Sequence, residues 1–185
     1  MDDLVKAWSA NPGDTPVGGA SNPGGPDHLT PMLLAQEVGV TPSDVNYVAY
    51  DGGGELLAGI LGQDVAFAAT GISEVTESAA AGDVRILAVT TDEPVEGVDA
   101  PTLQDEGVDL TFTNWRGIAA APEITDEETQ RFVDMITEMR DSEAWQQVLE
   151  DQGWTDAFMT GDEFSSFLDE ESGRVESVMS ELGLA

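Results

Sequence analysis

Short apolar segments alternate along the first half of the chain with helical patterns of about ten residues, and glycine-containing turns separate them. The apolar segments predict strands over Thr15–Ala20, Val45–Tyr50, Asp64–Ala69 and Val84–Thr90. The helical patterns run from Pro26 to the stop at Gly39, over Glu55–Leu61, and over Ile72–Ala81. Strands alternating with helices favour a parallel sheet with helices on both faces. We therefore predict an α/β fold.

The C-terminal third has a different pattern. A last strand is predicted over Leu110–Ala120, and helices follow, marked by a short segment over Ser142–Gln152 and by the capping boxes Thr125 with Glu128 and Thr160 with Glu163. The final helix carries one long apolar face, formed by Phe164, Phe167, Leu168, Val175, Val178, Met179 and Leu182. Such a face needs a partner surface. Because the α/β segment has helices of its own to cover its sheet, we expect that partner to be missing here.

The charge balance excludes several classes of partner. The 185 residues include 37 Asp or Glu against 6 Lys or Arg, for a formal charge of −31. Nucleic acid and anionic lipid need clustered cations, and the basic residues here are scattered. Because 41% of the chain is hydrophobic, we predict a folded protein. The acids are spread along the chain opposite a single lysine, Lys6, which favours adaptation to high salt over an ordinary acidic protein.

Other sequence features limit location and chemistry. No apolar run is long enough to span a membrane, and the segment from Met1 to Trp8 has no signal-peptide pattern. The chain has no cysteine, which excludes disulfides and thiol catalysis. No segment has the ligand spacing of a calcium loop, and we predict neither a metal site nor a cofactor.

Three loops are candidates for anion binding. Gly18–Gly25, which contains Ser21 and Asn22, lies between a predicted strand and a helix start. Asp51–Gly54 and Thr70–Gly71 have the same placement after the next two strands. Helix starts offer free N–H groups and a positive dipole end, and parallel strands bring such loops to one edge. The loops therefore favour a small anionic ligand held by backbone amides and hydroxyls.

The single histidine, His28, has two interpretations. It stands beside Asp27 in the first turn of a predicted helix, where a general base is one possibility. The interpretation that we favour is structural: the imidazole packs locally or hydrogen-bonds the preceding loop. A Ser21–His28–acid triad has no nucleophile-elbow motif to support it.

The order of motifs along the chain resembles a known family. The segments Gly19–Gly25, Pro26–Leu29, Val48–Gly53, Gly62–Val65 and Val84–Thr90 occur in that family's order, and so do Pro101–Thr102, Glu106–Gly107, Trp115 with Gly117, and Ala121–Pro122. This order is similar to that of the substrate-binding proteins of tripartite tricarboxylate transporters, the TctC or Bug family. The resemblance runs from about Ala10 onward and covers only the C-terminal part of a family member.

The resemblance implies a type II periplasmic-binding-protein fold of two α/β lobes. Residues 1–18 would be a connecting helix and strand from the first lobe, and residues 19–114 would form the second lobe. Residues 115–185 would be a crossover strand and helices. These helices would pack on the first lobe, and most of that lobe would be missing. The chain is thus expected to be a truncation.

The resemblance also implies a function. The protein would capture a small di- or tricarboxylate outside the cytoplasm, without catalysis, and deliver it to membrane permease subunits. By matching position, the ligand contacts would be Ser21, Asn22, Gly24, Gly25, His28, Tyr50, Asp51, Gly52, Gly53, Thr70 and Gly71. Two positions depart from the family pattern, because Gly25 replaces a usual hydroxyl residue and Asp51 stands where Lys is common.

Two alternatives remain open from the sequence. One is a small stand-alone α/β enzyme with His28 as acid or base. The other is a homodimer in which the C-terminal helices of two copies cover each other's apolar face.

Overall fold

The computed structural model describes residues 1–184, which divide into two compact units. The first unit is Met1–Asn114 together with the C-terminal stretch from Glu170 onward, and the second is Trp115–Asp169. In residues 1–184, no helix is both long and apolar enough to cross a bilayer.

The first unit is built on a three-stranded parallel sheet. Its strands are β1 (Val17–Gly19), β2 (Tyr47–Ala49) and β3 (Phe67–Ala69), in the order β2-β1-β3. Its helices are α1 (Asp2–Ala10), α2 (Pro26–Glu37), α3 (Gly53–Leu61) and α4 (Ile72–Ala81), with short 3-10 turns at Pro12–Asp14 and Pro42–Asp44. The predicted α/β fold with a parallel sheet is therefore confirmed.

Two predicted strands are wrong. Val84–Thr90 contributes only an isolated parallel bridge between Val89 and Thr102, and Leu110–Ala120 contains no strand. The backbone of Val89 bonds Pro101 and Leu103, and the Phe112 N–H bonds Thr90 O, so neither segment joins the sheet. An apolar run becomes a strand only where a neighbouring strand supplies a ladder, and in the described residues no ladder reaches these two segments.

The core of the first unit surrounds α2. Seven of the twelve α2 residues are buried, and five of them form one core cluster with Trp8 of α1, Leu103, Val108, Leu110 and Phe112. Trp8 is fully buried and meets the Phe67 ring of β3 edge to face at 5.0 Å. Residues on both sides of the expected boundary between residues 18 and 19 belong to the same compact unit.

The last helix, α7 (Gly161–Glu181), begins directly after Thr160, as its capping pattern predicts. Its Val178 is 1% exposed in the core of the first unit, and Val175, Met179 and Leu182 pack against that core. Arg174 donates to the Thr111 carbonyl oxygen at 2.7 Å and covers the Phe112 ring. The expectation that the whole apolar face lacks a partner is therefore wrong for these four residues, and the dimer alternative loses that part of its basis.

The second unit is helical. It contains α5 (Asp126–Arg140), α6 (Glu143–Gln152) and the start of α7. The capping box of Thr125 and Glu128 forms as predicted, and the Thr125 N–H bond to the Glu128 carboxylate lowers the pKa of that carboxyl. Trp115 meets Phe164 and Phe167 edge to face. Several large apolar side chains stay exposed in this unit, including Ile118, Phe132 and Met135.

Two glycines of β1 allow the helices to approach the sheet. A Cβ on Gly18 would lie 2.7 Å from the Leu56 Cδ1 atom of α3, and a Cβ on Gly19 would lie 2.9 Å from the Asp27 Cβ of α2 and overlap the Tyr47 hydroxyl. Contacts this short are not tolerated, so a side chain at either position forces the packed neighbouring side chains to shift.

We therefore expect Gly18→Ala to lower the free energy of unfolding by about 1–3 kcal/mol, the usual cost of overpacking. Chemical denaturation followed by circular dichroism measures the change. Gly13→Ala is the matched control, because a Cβ on Gly13 meets nothing within 4 Å. Equal stability of the two variants would contradict the packing argument.

Candidate functional site

The three predicted ligand loops meet at one edge of the sheet. Gly19, the last residue of β1, pairs with Ala49 of β2 and with Ala69 of β3. Because all three strands are parallel, the residues that follow them leave the sheet at the same edge. The structure thus brings together the loops that begin at Ala20, Tyr50 and Thr70, and we call this region the strand-end edge.

The first loop is held by side-chain oxygens of its own segment. The Ser21 Oγ atom accepts hydrogen bonds from the N–H groups of Asp27 and His28, at 3.1 and 3.3 Å. The Asp27 carboxylate accepts from the Ala20 N–H at 2.9 Å. Two amides at the start of α2, which the sequence offered as anion donors, are therefore already bonded within the chain.

Asp27 is partly buried behind this loop. Burial raises the pKa of its carboxyl, the hydrogen bond from Ala20 opposes that change, and the nearby charge of Glu74 raises the pKa further. The effect of Glu74 shows that two carboxylates lie close enough at the strand-end edge to repel each other.

His28 is a structural residue of the first loop. Its side chain is buried, its Nδ1 atom accepts a hydrogen bond from the Gly24 N–H at 3.2 Å, and its ring meets Tyr47 edge to face at 4.8 Å. An Nδ1 acceptor requires the neutral imidazole with its proton on Nε2. Burial lowers the His28 pKa, which also favours the neutral form. The structural interpretation of His28 is confirmed.

Tyr47, which the sequence gave no reason to select, supports the same loop. Its hydroxyl donates to the Ser21 carbonyl oxygen at 2.7 Å, and burial raises its pKa. Met179 of α7 lies against Gly24, whose φ of +92° favours glycine. The loop is therefore held from the sheet by Tyr47 and from the final helix by Met179.

Two glutamates bond the second and third loops, and one of them, Glu74, also reaches the start of α3. The Asp51 N–H donates to the Glu55 carboxylate at 3.3 Å, and the Thr70 hydroxyl donates to the Glu74 carboxylate. The Glu74 carboxylate carbon lies 2.6 Å from the point where a Cβ on Gly53 would stand. A negative charge thus lies at the start of α3, where the helix dipole favours it.

The predicted ligand residues differ in where their side chains lie. Tyr50 packs away from the loops, since its ring fills the space beside Gly59 of α3 and Gly18 of β1. Asn22 and Asp51 are exposed. Ser21, Gly24, Gly25, Gly52, Thr70 and Gly71 lie in the three loops themselves, and Gly53 is the first residue of α3.

The sequence analysis did not select Glu55 and Glu74, although their positions in the helices are a sequence signal for both. Each is the third residue of its helix, the position at which an acid reaches back to the residues before the helix. The strand-end edge therefore carries the carboxylates of Asp27, Asp51, Glu55 and Glu74, while none of its three loops contains Lys or Arg. Within residues 1–184, no three His, Asp or Glu side chains are grouped to hold a metal ion.

The sequence matches one family of transport receptors over nearly its whole length. Residues 1–184 match the family described as tripartite tricarboxylate transporter family receptor, TctC, and the chain belongs to that family. No curated protein matches the chain. Because the family is one of receptors, the alternative of a stand-alone enzyme built on His28 is not supported.

Solved structures share the fold. A TctC solute binding protein from Polaromonas aligns with a TM-score of 0.75 at 20% identity, covering 96% of this chain and 62% of its own. An R. palustris protein solved with adipate aligns with a TM-score of 0.79 at 21% sequence identity, and the alignment covers 100% of this chain and 61% of that protein. The periplasmic binding protein BugD aligns with a TM-score of 0.71 at 17% sequence identity, and the alignment covers 100% of this chain and 62% of BugD. The chain therefore spans less than two thirds of each of these proteins.

The lowered pKa of His28 predicts a pH-dependent stability. Because the folded-state pKa lies below the ordinary histidine value of 6.5, this contribution to stability is complete above pH 6.5 and is lost as the pH drops through the folded-state pKa. Denaturant unfolding at pH 7.5 and at lower pH measures the loss.

His28→Gln is the comparison variant, because it retains the carboxylates and removes this contribution. Since His28 is the sole histidine, its imidazole also gives a single NMR titration. A titration midpoint at or above 6.5 in the wild-type protein would show that burial does not control this group.

Proposed function

We propose that this chain is the larger part of an extracytoplasmic solute-binding protein, which captures a small di- or tricarboxylate for the permease of a tripartite tricarboxylate transporter. The observation that carries the proposal is the family match over residues 1–184. The adipate in the R. palustris structure, a dicarboxylate, supports this class of ligand.

The geometry supports a ligand at the strand-end edge. Three loops meet there, and Gly52 and Gly71, at which a Cβ would meet nothing within 4 Å, let a ligand approach the backbone closely. Hydrogen bonds from backbone N–H groups and the dipoles of helix starts attract carboxylates without a cationic side chain. The Asn22 side chain is exposed in the first loop and is the side-chain donor that we assign to the ligand.

The lobe assignment belongs to the same proposal. Residues 19–114 form most of the second lobe, with α1 and β1 built into it, and residues 115–169 belong with the first lobe. The exposed apolar side chains of the second unit, such as Phe132 and Met135, support a further packing surface for that unit. The solved relatives contain additional chain that has no counterpart here.

The surface charge fits a saline setting. At molar salt the screening length is about 3 Å, so the repulsion between acidic residues and an anionic ligand becomes short-ranged. We therefore propose that the protein binds its carboxylate best in concentrated salt.

Calorimetry on the full-length protein in molar KCl tests the function. We expect adipate or a tricarboxylate such as citrate to bind in a saturable one-to-one manner, while adipamide, which has the length of adipate but no charge, does not bind. Absence of binding across a panel of organic acids would overturn the proposal.

Asn22→Ala tests the location of the site. Loss of one hydrogen bond is expected to weaken binding about three- to tenfold. Asn46→Ala is the matched control, because Asn46 precedes β2 at the opposite edge of the sheet, where its side chain bonds Gly13. Equal losses in the two variants would place the ligand elsewhere.

A further inference from the structure

Glu74 reaches from α4 to the start of α3. Its carboxylate carbon and two oxygens lie 2.6–2.9 Å from the point at which a Cβ on Gly53 would stand, and the carboxylate accepts the Thr70 hydroxyl hydrogen bond. The family resemblance implies that both Gly53 and Thr70 contact the ligand. The space directly over these two residues is therefore filled by a carboxylate of the chain itself.

Other hydrogen-bond donors at the strand-end edge are also bonded to carboxylates of the chain. The Asp51 N–H bonds the Glu55 carboxylate and the Ala20 N–H bonds the Asp27 carboxylate. Glu74 differs from Glu55 and Asp27 because it crosses from one helix to the start of another. It also lies on an exposed part of α4, so its side chain can rotate into solvent without disturbing the core.

We infer that Glu74 sets the affinity of the site by competing with the ligand carboxylate for the space over Gly53 and the Thr70 hydroxyl. The inference rests on the proposed function and identifies a residue that determines ligand affinity within it. Two carboxylates cannot share this space, both because their atoms overlap and because their like charges repel. A ligand that enters must first displace Glu74, so part of its binding free energy is lost.

Two variants separate the contributions of charge and volume. Glu74→Gln removes the charge and keeps the shape, and Glu74→Ala also removes the side chain. In calorimetry with adipate on the full-length protein, we expect Glu74→Gln to tighten binding about three- to tenfold at low salt. We expect Glu74→Ala to tighten it at least as much, and to keep its advantage in molar KCl, where the charge is screened.

Glu77→Gln is the matched control. Glu77 is exposed on the same helix and its substitution changes the net charge equally, so any general effect of charge appears in this variant too. We expect less than about a twofold change in its affinity for adipate. Circular dichroism verifies that each variant is folded.

The outcomes distinguish this inference from the proposed function. If the wild-type protein binds adipate and neither Glu74 variant binds it more tightly than Glu77→Gln does, the competition is wrong and the proposed function stands. Weaker binding by Glu74→Gln would also overturn the inference, because Glu74 would then accept a hydrogen bond from the ligand. If no protein in the set binds any organic acid, the proposed function fails and the inference fails with it.

Discussion

The backbone of β1 is in contact with side chains on both of its faces, because Gly18 and Gly19 have no Cβ. Leu56 and Tyr50 lie against Gly18, and Tyr47 and Asp27 lie against Gly19. These contacts set α2 and α3 directly against the central strand, so the starts of both helices come to the strand-end edge. The position of the candidate site follows from this packing, since a larger residue in β1 would move the helix starts away from each other.

The same edge shows how an acidic protein arranges its backbone donors. Ser21 accepts hydrogen bonds from amides at the start of α2, Asp27 and Glu55 accept from amides of the first two loops, and Glu74 lies over the start of α3. Bonding within the chain stabilises the loops, because an unpaired N–H is costly wherever water cannot replace its partner. It also leaves fewer free backbone donors at this edge, which would lower the affinity for the proposed ligand.

The charge of −31 and the proposed anionic ligand are compatible for a physical reason. Backbone amides and helix starts attract an anion at short range, whereas the repulsion from distant surface carboxylates acts through solvent and is screened by salt. The four carboxylates of the strand-end edge lie closer to the proposed ligand than the other surface carboxylates do, and they repel an anion there more strongly. Their arrangement therefore bears on affinity more than the total charge of the surface does.

The sequence by itself determined the elements with strong local signals: the helices, their caps, the parallel sheet and the family. Local signals failed for Val84–Thr90 and Leu110–Ala120, because a strand depends on a neighbour that an apolar run does not specify. Only the tertiary structure decided that Tyr50 packs on Gly59 and that Glu74 crosses to Gly53. The contacts of Tyr50 with Gly59 and of Glu74 with Gly53 depend on how helices pack on the sheet, and residue spacing within one helix or strand carries no information about that packing.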